Sequence, residues 1–373
     1  MKQKKEKKSI LRNGGVQTLL ASLLCILLGL LVGYIVLLII NPAGAWKAMT
    51  SILKNFLYFP RPAIALEYFG STLAKTAPLL MCTLSVLFAY KVGLFNIGAS
   101  GQYAVGAGMA LYLGIQFHAP WWVCLLAAMI GGALLGALAG ALKAYLNVNE
   151  VIACIMLNWI ALYSVNMLLT LVKDSSSTYT MALKTNAPDA LLPSLGLGAL
   201  FSDNNYVTIA IPLAVIFAVL VWILLEKTKL GYELKATGLS VNAAKYAGMR
   251  EKRNMILTMT ISGALAGLGA AFLYLSGIEQ WSCAQTAVPA MGFNGIASAF
   301  LGGLHPIGSI FAAFFTQHIT SGGAYVDKMI YCSQISDLIS SIIIYFCGFV
   351  LFFKYLMNKR LSRNADRKKK GEA

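Results

Sequence analysis

Carboxamide side chains in apolar surroundings are the residues of this sequence best suited to contact a polar solute. Asn96 and Gln102 lie in an apolar region, within a stretch from Gly93 to Gly108 that holds five glycines. Irregular backbone and amides persist at membrane depth only where protein or a water-filled cavity satisfies their hydrogen bonds. A neutral amide can also bind a passing solute without creating a charge barrier. The stretch therefore predicts a site for a neutral, polar molecule.

A second glycine-rich stretch repeats one step of the first. Phe293-Asn294 lies beside glycine, as Phe95-Asn96 does. Glycine-interrupted segments at corresponding positions of two halves indicate the binding site of a transporter. The alternative is that both stretches only pack helices together. Including an amide from another apolar run, the residues predicted to line a solute pathway are Phe95, Asn96, Gln102, Asn158, Phe293 and Asn294.

The composition is that of a membrane protein. Of the 373 residues, 58% are hydrophobic and 12% charged, whereas soluble domains have about 45–50% and about 25%. The apolar runs predict an all-α, polytopic protein of about ten transmembrane helices, with short or broken helices in two related halves. Asn158 and Asn166 lie within one apolar run, so they must face protein or a pore. Gly132, Gly136 and Gly140 form a stripe that lets another helix approach closely.

The distribution of positive charge predicts the topology. Of 30 Lys and Arg residues, six lie in the first twelve positions, seven between Lys227 and Arg253, and eight from Lys354 onward. Cytoplasmic segments carry such an excess of positive charge. The predicted parts are a cytoplasmic N-terminus (1–15), a transmembrane domain (16–357) with an extracellular loop (173–205) and a cytoplasmic loop (227–253), and a cytoplasmic tail (358–373).

The sequence does not favour an enzyme or an ion-coupled transporter. No paired carboxylates, metal-ligand cluster or nucleophile–base pair is apparent in the spans, and an ion-coupled transporter would need buried carboxylates. Asp337 is the one candidate, and it lies near the start of the last helix. That position leaves two roles open for Asp337, a local structural one and one in transport. No metal and no cofactor of its own is predicted.

The cytoplasmic loop contains a short predicted helix. Ser240 or Asn242 can cap a helix over Ala243–Ala247, and Gly248 would end it. A two-turn helix between membrane spans buries itself poorly against its own protein. Its alanines suit insertion into a groove of another protein, whereas the alternative is an ordinary basic loop.

Several motifs resemble those of one transporter superfamily. Gly231-Tyr-Glu-Leu-Lys-Ala-Thr-Gly238 with 242–248 resembles the coupling loop of ABC importer permeases for ribose, galactose, nucleosides and branched-chain amino acids. The segments 95–102, 149–160 and 292–308 resemble the nucleoside branch. Ser100 stands where that branch commonly has an acidic residue, and His305 where it often has Asn. The resemblance covers about residues 65–350.

The resemblance implies a type II-like importer fold in a bacterial plasma membrane. It implies two permease chains, either copies or paralogues, with ATP-binding subunits and an outer substrate-binding lipoprotein. The chain has no GxxxxGK[ST] motif, so ATP would be bound by the partner subunit. The implied substrate is a nucleoside, with a simple sugar such as ribose or galactose as the alternative. The implied ATPase-coupling residues are Gly238, Asn242, Ala243, Ala244, Tyr246, Ala247 and Gly248.

Overall fold

The described chain is built from helices joined by turns and one folded loop. A computed structural model describes residues 14–327, 329–331 and 335–359, so the predicted N-terminus and tail lie almost entirely outside the described residues. No β-strand occurs within these ranges, and the all-α class is confirmed. The helices are α1 (Gly14–Ile40), α2 (Pro42–Lys54), α3 (Pro62–Lys91), α4 (Ala99–Phe117), α5 (Trp121–Leu146), α6 (Glu150–Thr170), α7 (Leu183–Asn186), α8 (Ala210–Lys227), α9 (Lys229–Leu239), α10 (Val241–Tyr246), α11 (Glu251–Tyr274), α12 (Ala290–Leu301), α13 (Pro306–Gly322) and α14 (Ile335–Cys347), followed by a helical segment at 350–359.

Six of the described helices are long and apolar enough to cross a membrane. They are α1 from Leu20, α3, α5, α6, α8 and α11. Helix α12 is apolar but has only 12 residues, which agrees with the short helices predicted from the sequence. The count of ten crossings stays a prediction. The side chain of Asp337 lies outside the described residues.

The helix before the first glycine-rich stretch begins at a proline. Helix α3 starts at Pro62, because proline at a first helical position is pre-organised for helix. Asn204 further stabilises this helix by donating from Nδ2 to the Glu67 carbonyl, at 2.7 Å. The preceding helix, α2, buries one face and exposes Trp46, as an amphipathic helix does.

Glycines let α4 and α5 each pack against α11 with their backbones in direct contact. Helix α11 runs between α3, α4 and α5. A Cβ atom on Gly132 of α5 would collide with the Gly263 carbonyl of α11, and one on Gly106 of α4 would lie 2.5 Å from Gly267 Cα. The close approach predicted from the α5 glycine stripe is confirmed, and α11 is the partner helix.

The loop predicted at 173–205 is a folded cap on the end of α11. Its backbone hydrogen-bonds to the segment that follows α11: Thr180 N donates to the Trp281 carbonyl and Leu192 N to the Leu275 carbonyl, both at 2.9 Å. Helix α7 and short 3₁₀ turns make up the rest of the cap. Its extracellular location stays a prediction.

Substitution at the α5–α11 contact should show how much the bundle depends on it. Gly263→Leu should abolish the folded protein, since the side chain would enter the α5 backbone, and Gly263→Ala should lower the free energy of unfolding by about 1–3 kcal/mol. Thermal unfolding and yield in detergent measure both effects. Leu134→Phe, on the exposed side of α5, is the control. A wild-type melting temperature for Gly263→Leu would contradict the packing.

Candidate functional site

The first glycine-rich stretch forms a break between two helices. Helix α3 ends at Lys91 and α4 begins at Ala99. Gly93 has a φ of +79°, a left-handed conformation that favours glycine. Leu94 N then donates back to the Ala89 carbonyl at 3.0 Å and closes the end of α3. The irregular backbone predicted from the glycines is therefore present.

A buried cluster of polar side chains lies directly beside the break. Asn96 Nδ2 donates to Ser262 Oγ of α11 at 2.6 Å and to Gln102 Oε1 of α4 at 2.7 Å. Ser85 of α3 completes the set, with its Oγ 3.0 Å from Ser262 Oγ. All four side chains are fully or almost fully buried. Ser85, Asn96, Gln102 and Ser262, here called the amide cluster, thus join the break to three helices.

Asn158 satisfies the backbone of the break from the other side. Its Oδ1 atom accepts from Gly101 N at 2.8 Å, and its Nδ2 atom donates to the Ile97 carbonyl at 3.1 Å. Both backbone groups would otherwise be unpaired inside the protein, which costs free energy. A Cβ atom on Gly101 would lie 2.6 Å from Asn158 Oδ1. Gly101 and Asn158 therefore form a close-fitting pair between α4 and α6.

The second stretch differs from the first in its surroundings. Gly292 packs against the backbone of Ser100 at the start of α4. Phe293 is 41% exposed, and Asn294 is half-buried. Among the described residues, the Asn294 side chain makes no hydrogen bond, whereas Asn96 makes several. The structure thus brings Asn96, Gln102 and Asn158 together around one break and leaves Phe293 and Asn294 on a more open face.

A pathway-lining role for the six predicted residues stays a prediction. Asn96, Gln102 and Asn158 are buried and hydrogen-bonded within the protein, and Phe95 is half-buried. In this conformation, the three buried amides stabilise the break between α3 and α4. Phe293 and Asn294 instead lie at the surface of the described chain.

Several polar groups near the site gave little or no signal in the sequence. Ser85 and Ser262 are isolated serines in apolar helices. Lys75 of α3 lies 3.9 Å from Glu279, with both side chains partly exposed; a lone lysine in an apolar run was the only available signal for this pair. Asn166, expected to face protein, accepts from Trp281 Nε1 at 2.9 Å.

The predicted short helix in the 227–253 loop is α10. Of the two possible caps, Ser240 is the one used: its Oγ accepts from Ala243 N at 3.3 Å. The helix ends at Tyr246, and Gly248 follows with a φ of +78°. Ala244 is buried against its own chain, while Tyr246 is 93% exposed. The exposed side of α10 is therefore the tyrosine side, not the side of Ala244.

Comparison with known proteins identifies the family. Residues 68–348 match the model of the branched-chain amino acid transport system permease component. The guanosine ABC transporter permease NupP of Bacillus subtilis is 32% identical over 93% of this chain and 98% of its own length. The nucleoside ABC transporter permease NupB of Lactococcus lactis is 32% identical over 96% of this chain and 99% of its own length. The glucose ABC transporter permease TsgB13 of Haloferax volcanii is 28% identical over 77% of this chain and 78% of its own length. No solved structure matches the chain.

The chain belongs to this family of permease components. It is therefore a membrane permease of an ABC transporter, and ATP hydrolysis resides in a separate subunit. The resemblance drawn from the motifs is confirmed at the level of the family. The family also implies a substrate-binding protein as a further partner.

Proposed function

We propose that this permease forms the membrane pathway of an ATP-driven importer of nucleosides. The observation that carries the proposal is the match, over nearly the full length of both chains, to permeases named for guanosine and for nucleosides. The open face of α12 is compatible with such a solute. Phe293 offers an aromatic surface for a planar base, and Asn294 offers a hydrogen-bond donor and acceptor without a charge.

A simple sugar is the second candidate substrate. The relative named as a glucose permease supports it, although the match covers less of the chain. The two candidate substrate classes can be distinguished in a deletion strain that carries this chain and its partners. The measurement is the uptake of radiolabelled guanosine, uridine, ribose and glucose. Uptake of the nucleosides alone is expected. Uptake of only the sugars would contradict the nucleoside assignment.

In the same assay, the two related asparagines should differ. Asn294→Leu should lower uptake about tenfold, roughly the effect of one lost hydrogen bond, without changing thermal unfolding. Asn96→Leu should lower uptake and also the free energy of unfolding, by about 1–3 kcal/mol, because it leaves buried partners unpaired. Asn205→Leu, in the exposed cap, is the control. Wild-type uptake by both variants would contradict the pathway role and indicate that these asparagines only pack helices together.

The positive-inside distribution supports a cytoplasmic location for both termini and the 227–253 loop, and an outer location for 173–205. Thr185→Cys, in α7 on a cysteine-free background, should react with a membrane-impermeant maleimide added to intact cells. Tyr232→Cys, at an exposed position of α9 in the 227–253 loop, should react only after permeabilisation. Reaction of Thr185→Cys only from the inner side would overturn the topology.

We further propose that the exposed side of α10 docks on the ATP-binding subunit. Tyr246 of α10 is 93% exposed, and Leu239, the last residue of the neighbouring helix α9, is 89% exposed, although both are apolar or aromatic. The cytoplasmic location inferred for this segment is where ATP is available. A second permease, either a copy or a paralogue, and an outer substrate-binding lipoprotein would complete the importer.

Removing the exposed ring of α10 tests this docking. Tyr246→Ala should lower co-purification of the ATP-binding subunit and nucleoside uptake together, because an aromatic anchor at an interface is often worth more than 2 kcal/mol. Tyr232→Ala, which removes an exposed tyrosine of α9, is the matched control. Co-purification at the wild-type level in Tyr246→Ala would contradict docking through this side. Ala244 is unsuitable for the test, since it is buried.

A further inference from the structure

The end of α9 touches the turn that begins the α3–α4 break, backbone against backbone. A Cβ atom on Gly238 would collide with the Val92 carbonyl. A Cβ atom on Gly93 would lie 2.8 Å from Gly238 Cα. With no side chain between the two segments, a displacement of α9 cannot be absorbed by a change of rotamer. It must move the Val92–Gly93 turn or open the contact.

The neighbouring residue of α9 makes a second link, to α11. Thr237 Oγ1 accepts from Asn254 Nδ2 at 2.8 Å and donates to the Glu233 carbonyl at 2.8 Å. Thr237 and Asn254 are both buried. The hydroxyl therefore both donates and accepts, and it links α9 to the first turn of α11.

Both links lead to the amide cluster. Gly93 precedes Asn96 by three residues, and Asn254 precedes Ser262 on α11 by about two helical turns. Asn96 and Ser262 are hydrogen-bonded to each other at 2.6 Å. The end of α9 is thus connected to two members of one buried network, through a three-residue segment and through about two turns of helix.

The structure leaves room for movement beside this contact. An open pocket with a volume of about 200 Å³, enough for several water molecules, lies at the Val92–Gly93 turn. Lys143 and Glu150 form an ion pair on its wall, at 2.9 Å. Close-packed interiors resist small shifts, whereas this open pocket leaves one side of the Val92–Gly93 turn unpacked.

We propose that Gly238 and Thr237 form the joint through which movement of α9 and α10 repositions the amide cluster and the start of α4. The inference rests on the proposed function, in which α10 receives the ATP-binding subunit. Gly238 and Thr237 are positioning residues and do not contact the solute. When α10 moves, Gly238 pushes the Val92–Gly93 turn while Thr237 pulls on Asn254, so the two sides of the Asn96–Ser262 hydrogen bond shift together.

The test uses the complete importer reconstituted in vesicles, with guanosine as the probe. The measured quantity is the number of guanosine molecules moved per ATP hydrolysed. Gly238→Ala and Thr237→Val should lower this ratio about tenfold, within the range typical of coupling between sites, while the ATP-binding subunit still co-purifies. Thr237→Ser retains the hydroxyl and should restore the ratio. Gly348→Ala, at an exposed position where a Cβ would meet only the Tyr345 carbonyl at 3.2 Å, controls for the added methyl group.

The possible outcomes distinguish a failure of the proposed joint from a failure of the proposed function. An unchanged ratio in both variants overturns the joint, and so does a parallel fall of transport and hydrolysis, which indicates a structural role alone. Loss of the ATP-binding subunit from Gly238→Ala would assign Gly238 to the docking surface instead. If Gly238→Ala does not fold, Thr237→Val against Thr237→Ser decides. Wild-type co-purification in Tyr246→Ala would refute docking through α10. The number of guanosine molecules moved per ATP in the Gly238 and Thr237 variants would still test the joint.

Discussion

The break between α3 and α4 needs partners for its backbone groups, and the architecture around it supplies them. Buried N–H and C=O groups without a partner destabilise a protein by roughly 1–3 kcal/mol each. Asn158 reaches from α6 to pair Gly101 N and the Ile97 carbonyl. Asn96 joins the same turn to α4 and α11. The side chains that pair with this short irregular segment therefore also help to fix α3, α4, α6 and α11 relative to one another.

Glycine determines where these helices can meet. At Gly132, Gly106 and Gly263 the neighbouring backbones occupy the space of a side chain. Membrane helices gain little from hydrophobic burial against one another, so close backbone packing and polar links supply much of the association energy. The glycine contacts and the amide cluster are thus complementary: the first brings the helices close, and the second fixes their register.

The sequence predicted features that depend on local composition. Glycines at a four-residue period on α5, irregular backbone after Lys91 and a cap on α10 at Ser240 or Asn242 can all be read from neighbouring residues. The pairing of Ser85 with Ser262 could not, because the two are 177 positions apart and neither stands out in its helix. The same holds for the two asparagines. Asn96 and Asn294 share a local motif, but tertiary contacts bury one and leave the other half-exposed.

The length of α3 has a consequence for the lipid around the protein. Its 30 residues span about 45 Å, while the hydrocarbon core of a bilayer is about 30 Å thick. The helix must therefore tilt or extend into the headgroup region, and hydrophobic mismatch makes that choice depend on bilayer thickness. Because α3 leads directly into the break, we expect the acyl-chain length of the host membrane to influence the geometry of Asn96 and its partners.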